Sequence, residues 1–284
     1  MNFSNSTELA GRVCVVTGAN TGIGKEIARG LATKGSTVIL ACRDLAKGEA
    51  AAEDIRRTTH SERVSVMKFD ASSQASIRAF AQDFKREHAL LHVLVNNAGI
   101  WTESKSLSVD GIEMTWATNV LGYFLLTECL RDILTVSGPS RIVSVASKKA
   151  GGLDLSDVQF ARRKYNGVAA YEQSKQANRM WTWALARRLD PSRVTANALH
   201  PGVIHSEIAS RNPGLFGFAA KTYFSVVGKS VHEGADTPVW LATSDAVEGR
   251  TGTFFYDRTA HRCRFRNEPE EERLWALLES QTHG

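Results

Sequence analysis

Tyr171 and Lys175 stand four residues apart in the stretch YEQSK. On a helix this spacing puts both side chains on one face, about one turn apart. A phenol titrates near pH ~10, and a neighbouring ammonium favours the phenolate and lowers that value. The pair can therefore act as a tuned proton donor, although the five residues alone read better as ordinary helix decoration. A second cluster lies near the start of the chain, in VTGANTGIGKE, where Gly18, Gly22 and Gly24 follow a β-rich run and open a helical one. Glycines there let the backbone turn tightly and approach a pyrophosphate. The helix N-terminus beyond offers free N–H groups and a positive dipole end. The alternative is glycine used for strand–helix packing. The spacing is G-x-x-x-G-x-G, not the commoner dinucleotide fingerprint.

The elements that must position these groups alternate along the chain. Short runs rich in β-branched residues occupy 12–18, 36–43, 63–70, 91–99, 140–147 and 193–202. Helical spacing of apolar residues fills the intervals, including 24–35, which stops at Gly35, and 45–57, for which Asp44 is placed as N-cap. Strands alternating with helices predict an α/β protein: a doubly wound, Rossmann-type parallel sheet with helices on both faces. With no linker, repeat or low-complexity stretch, residues 1–284 read as a single dinucleotide-binding catalytic domain. The segment 205–230 breaks the rhythm. It is apolar and Gly-rich, and it reads as an excursion from the fold.

Composition narrows the classes. The chain has 284 residues, 43% hydrophobic and 23% charged, with a net charge of +5, in the range of a soluble globular protein. The charges are interspersed, so no nucleic-acid partner is expected, and a phosphorylated cofactor suffices to use the small positive excess. Cys14, Cys42, Cys129 and Cys263 are far apart. They form no metal-ligand pair and suit a reducing compartment, giving a cytoplasmic expectation and no metal. The first residues, MNFSNSTELAGR, lack the apolar core of a signal peptide. The sequons NFS and NST therefore carry no weight, and no uncharged run reaches the ~18 residues of a membrane span.

Taken in order, TGANTGIG (17–24), NNAG (96–99), TNVLGYFLLT (118–127), RIVSVAS (141–147), YEQSK (171–175) and HPG (200–202) resemble the short-chain dehydrogenase/reductase family, over roughly 12–257. LACRDLAKGE and EGADTPVWLATS are most similar to its retinol-dehydrogenase-like branch. The resemblance implies an NAD(P)-dependent enzyme acting on CH–OH and C=O groups. In it, Tyr171 is the general acid/base, Lys175 lowers its pKa and holds the nicotinamide ribose, Ser147 hydrogen-bonds the substrate oxygen, and Asn119 anchors a water chain. Hydride transfer to a carbonyl leaves an alkoxide that needs such a proton and such stabilisation. The resemblance also implies cofactor contacts from Gly18, Asn20, Thr21, Gly22, Ile23 and Gly24, from Asp70 on the adenine side, and from Asn96, Ala98 and Gly99. Tyr171, Lys175, Pro201, Gly202 and Ser206 complete the set on the nicotinamide side. The resemblance further implies that the excursion at 205–230, which follows this side, is a substrate lid.

Cofactor choice turns on the tip of the second strand. An acid there would bind the adenosine ribose of NAD. Here Cys42 is followed by Arg43, whose guanidinium suits a 2′-phosphate, so NADP(H) is favoured over NAD(H). Asp44 is the counter-argument, and its capping role accounts for it. Asp70 reads equally as a turn residue, Asn96 as a loop cap and Asn119 as a helix-bending residue. Several departures stand out: Val120 follows Asn119, Ala146 replaces a common Ser, and an insertion separates Ser147 from Tyr171. That insertion carries a second phenol, Tyr165, without a following lysine. Leu215, Phe216, Phe218, Tyr223, Phe224 and Trp101 suggest a lipophilic aldehyde, ketone or alcohol. Lys221 and Lys229 permit weak membrane-surface contact, and homo-oligomerisation stays open. Two alternatives share the fold: a catalytically silent NADP-binding regulatory or scaffold protein, and a carbon–carbon double-bond reductase.

Overall fold

In the computed structural model, residues 9–202 and 230–282 are described. The expected lid (205–230, of which only Ser230 is described) and Ser206 therefore lie outside the described residues. Six runs of β-branched and small apolar residues form parallel strands: β1 (Val13–Thr17), β2 (Thr37–Cys42), β3 (Val64–Lys68), β4 (Val93–Asn96), β5 (Ser140–Val145) and β6 (Val194–Leu199). They are joined by β7 (Phe254–Tyr256) and the antiparallel β8 (Thr259–His261), in the order β3-β2-β1-β4-β5-β6-β7-β8. The order reverses between β1 and β4, which is where open α/β sheets leave a ligand crevice at their carboxyl ends. Register runs from Val15 opposite Ile39 on one side to Val15 opposite Leu94 on the other.

The inner strands are apolar on both faces because both faces are covered, whereas the edge strands β3 and β8 are partly or wholly exposed. With a side-chain period of two, Val15 and Ile39 enter one core while Cys14, Val16, Val38 and Leu40 enter the other. The first core is closed by α3 (Gln74–Glu87), by α5 (Gly122–Ser137), by α6 (Gly167–Arg188) and by α8 (Glu268–Thr282), through Phe80, Phe124, Trp181 and Trp275. The second is closed by α1 (Gly22–Thr33), α2 (Leu45–Thr59) and α7 (Val231–Thr243), through Ile27, Ile55 and Val239. The short α4 (Met114–Trp116) runs into α5 through a π-helical turn, Ala117–Leu121, with Asn119 at its centre. Among the described residues no helix is long and apolar enough to cross a membrane.

The insertion between β5 and α6 is tied down. Asp157 accepts the backbone N–H groups of Ala161, Arg162 and Arg163, and Gln173 Nε2 donates to the Val158 carbonyl at 2.7 Å. Farther back, Gly151 N–H reaches the Glu172 carbonyl at 3.1 Å. The loop thus runs along the first turns of α6, as a rim beside Tyr171.

Candidate active site

The glycine loop forms because β1 must turn into α1 beside the β4 loop. Gly18 takes φ +65°, and a Cβ there would sit 2.9 Å from the Ala98 Cα, so only glycine avoids both the left-handed strain and the clash. The two loops are stitched together by Thr17, whose Oγ1 accepts the N–H groups of Asn97 and Ala98 at 2.9 and 3.0 Å. Asn97 Nδ2 returns a bond to the Thr17 carbonyl at 2.9 Å. A Cβ on Gly24 would meet that amide and the Gly18 carbonyl at 2.5 Å. By contrast, a Cβ on Gly22, at φ +57°, would meet nothing within 4 Å.

A dinucleotide fits this framework. Open space lies over Gly22, and α1 begins with no side-chain cap, whereas Asp44, Ser73 and Asn166 cap α2, α3 and α6. Its first-turn N–H groups are therefore left to an anion. A second cradle lies at Gly99, where a Cβ would come 3.4 Å from Asn119 Oδ1 and 3.5 Å from Lys175 Nζ.

Helix α6 brings the reacting groups to the same edge. Tyr171, Lys175 and Arg179 recur at a spacing of four on one of its faces. Tyr171 hydrogen-bonds Ser147, which follows β5. Lys175 is buried. Its Nζ donates to the Val145 carbonyl at 3.1 Å and lies 5.4 and 5.7 Å from the ring centroids of Tyr123 and Tyr171. Burial alone pushes the ammonium down to about 7. Burial also pushes the Tyr171 phenol above its ordinary value, an effect offset only partly by the Ser147 bond. The expectation that Lys175 lowers this phenol is thus not met by the chain on its own. Desolvation wins over a neighbour that is itself driven toward the neutral amine. Tyr123, fully buried beside them, is held well above the ordinary phenol range, mainly by burial and further by Tyr171.

The lysine shift has a consequence for stability. A lysine at about 7 in the folded chain and ~10.4 unfolded binds fewer protons folded than unfolded between those values. Stability must then rise with pH across that window, and the cost of burying the charge is fully present below pH 7. Thermal melts of the chain without added nucleotide, from pH 7 to 9, should show wild type gaining on Lys175→Met. Parallel curves would mean that Lys175 keeps its ordinary pKa.

The other expected residues divide. Asn119 is fully buried and holds the π turn. Its Oδ1 accepts from Ile100 N–H at 2.8 Å, and its Nδ2 donates to the Ile100 carbonyl and to Ser174 Oγ, both at 3.0 Å. It thus plays the helix-bending role, and through Ser174 it reaches the residue beside Lys175. Asn96, expected among the cofactor contacts, is buried, with its side-chain Nδ2 on Thr127 Oγ1 of α5 at 3.0 Å. Strand alternation sends Asn96 inward and leaves Asn97 to tie the loops. Asp70 commits Oδ1 to the N–H and hydroxyl of Ser72, at 2.9 and 2.7 Å, which is the turn role.

Arg43 is exposed at the tip of β2, and its carbonyl accepts Lys68 Nζ at 2.6 Å. Asp44 caps α2 through Lys47 N–H at 3.1 Å and lies 3.7 Å from the Lys47 ammonium. The phenol of Tyr165 is committed elsewhere, to Thr102 Oγ1 at 2.7 Å and Glu113 Oε1 at 3.2 Å. Gly202, at φ +97°, donates its N–H to His200 Nδ1 at 3.1 Å and turns the chain after Pro201. Trp101 stands near the start of α6, its Nε1 3.2 Å from where a Gly167 Cβ would be. Thr17, Lys68, Asn97 and Tyr123 were not singled out by motif reading. For Lys68 and Tyr123 the available signal was position, a strand end and one turn past Asn119.

Comparison with known proteins agrees with this arrangement. A family model described as short chain dehydrogenase matches residues 12–213. Retinol dehydrogenase 12 of Homo sapiens is 44% identical over 274 residues, covering 95% of this chain and 86% of that protein. Among solved structures, an uncharacterised protein from Mycobacterium paratuberculosis superposes with a TM-score of 0.79 at 32% identity, covering 100% of this chain and 97% of its own. A short chain dehydrogenase from Burkholderia cenocepacia, solved in complex with NADP, gives 0.69 at 26% identity, over 87% and 96%.

Proposed function

This chain belongs to the short-chain dehydrogenase family, and from that premise we propose an NADP(H)-dependent oxidoreductase that interconverts a lipophilic aldehyde or ketone and its alcohol. The observation that carries the proposal is the convergence of Tyr171, Ser147 and Lys175 with the glycine loop on one carboxyl edge of the sheet. The fold alone would not assign chemistry.

The nicotinamide cofactor, when bound, supplies or accepts the hydride. The loop from Gly18 to Gly24, with Asn20, Thr21, Gly22 and Ile23 between, would take its phosphates on backbone N–H groups. Ala98, Gly99, Lys175, Pro201 and Gly202 would line the rest of its path, with Asp70 near the adenine. Ser147 Oγ donates a hydrogen bond to the substrate oxygen. Tyr171 O–H gives that oxygen its proton in reduction and takes it back in oxidation. Negative charge developing on the oxygen favours the protonated Lys175, so the ammonium becomes the better species as the reaction proceeds.

NADP(H) preference rests on two neighbouring cations, Arg43 after β2 and Lys68 at the end of β3, with no uncommitted acid beside them among the described residues, since Asp44 is tied to α2. Arg43→Ala should weaken NADPH binding by about tenfold or more, the worth of one lost charge-assisted hydrogen bond, and leave NADH nearly unchanged. Titration calorimetry with both nucleotides decides it, and equal losses would mean that Arg43 does not discriminate. A lipophilic substrate is supported by the likeness to a protein named retinol dehydrogenase and by Trp101 at the rim. The four free cysteines fit a reducing compartment such as the cytoplasm.

A further inference from the structure

A second concentration of charge lies behind the catalytic edge. A cavity of about 300 Å³ is lined by Lys148, Ala150, Arg179, Arg262, Cys263, Arg264 and Phe265. Four of these side chains are basic and none is acidic. Arg179 is 7% exposed, yet among the described residues no carboxylate pairs with it. One Nη donates to the Ser147 carbonyl and the other to Cys263 Sγ at 3.3 Å, while Nε has no partner among the described residues. The guanidinium is held flat by Phe254, 4.0 Å from its centroid, and by Phe265 at 5.5 Å. A buried cation with an unused donor, among three more cations, is costly to keep unless an anion shares the site. The same field acts on His200, pushed down to about 4 by burial and by Arg179 and Lys148.

We propose that this cavity binds the phosphate group of a small phosphomonoester. A monoester carries close to two negative charges at neutral pH and three acceptor oxygens. Guanidinium forks match that geometry better than single amines do. The volume is at the small end of ligand pockets. The site is separate from the cofactor's 2′-phosphate: Arg43 follows β2 near one edge of the sheet, whereas Arg262 and Arg264 follow β8 at the other.

The test is calorimetric titration of the full chain with glycerol 3-phosphate, with glycerol as the neutral control and NADP⁺ both absent and saturating. Sedimentation with phosphatidylcholine vesicles, with and without phosphatidic acid, separates a soluble ester from a lipid headgroup. Saturable binding of either phosphate probe, retained with NADP⁺ present, is expected. Arg262→Gln/Arg264→Gln changes only exposed side chains, so it should fold and weaken binding by at least about tenfold. Arg179→Met should weaken it further where that chain folds. Binding that the double variant leaves intact, that NADP⁺ displaces, or that neither probe shows would overturn the proposal.

Discussion

Tyr171→Phe should leave a folded, nucleotide-binding protein with almost no turnover. The substitution keeps the ring and the helix and removes one oxygen, which in the structure bonds Ser147. Its loss frees Ser147 Oγ, a half-buried group that already accepts Lys149 N–H at 3.2 Å and can turn to water. The stability cost should therefore stay within about 1 kcal/mol. The catalytic cost is of another size, because among the described residues no other phenol is free to reach the forming alkoxide. Tyr165 is bound to Thr102 and Glu113, and Tyr123 is sealed in the core at 1% exposure. General acid–base catalysis is worth ~10²–10⁴ in rate, and the loss should fall at the upper end. Steady-state kinetics alongside nucleotide titration checks this, and near wild-type turnover in a folded Tyr171→Phe chain would end the catalytic reading.

Lys175→Met should separate activity from stability. The wild-type amine is buried, donates to the Val145 carbonyl, and is driven toward neutrality by burial. Replacing it with a thioether of similar length removes that desolvation cost, on the order of a few kcal/mol at and below pH 7. The melting temperature should rise most at low pH. Activity should fall by about 10² or more, because the ammonium that stabilises developing negative charge is gone. Nucleotide affinity should also drop, since the amine borders the Gly99 cradle. A Lys175→Met chain that is both less stable at pH 6 and fully active would contradict the electrostatic account.

These residues were legible from sequence for physical reasons that do not extend to the whole molecule. The inner parallel strands announce themselves as apolar, β-branched runs, since both their faces are buried. The β7–β8 hairpin does not. Its strands have three residues each, and its turn places Asp257 and Arg258 at φ +48° and +58°, where a glycine would have given the signal. The π turn at Asn119 is set by bonds to Ile100, nineteen residues away, so no local pattern shows it. Asn96 and Asn97 are adjacent and identical, and only the pleat decides which of them faces the loop. Arg179 shares a helical face with Tyr171 and Lys175, but its neighbours Arg262 and Arg264 arrive from the far end of the sheet, a convergence that spacing cannot reveal. Spacing predicts a phenol lowered by the lysine, whereas the phenol's own burial raises it, and burial is a property of the packed interior.

The account's central claim is hydride transfer to a carbonyl carbon, and isotope transfer tests it most directly. NADPH deuterated at the transferring position, incubated with the chain and a lipophilic α,β-unsaturated aldehyde, should give the allylic alcohol with one deuterium on the carbinol carbon. The carbon–carbon double bond should remain intact, and Tyr171→Phe should form no labelled product. Deuterium on a former alkene carbon, or no transfer to any member of a panel of such aldehydes by a chain that binds NADPH, would contradict it.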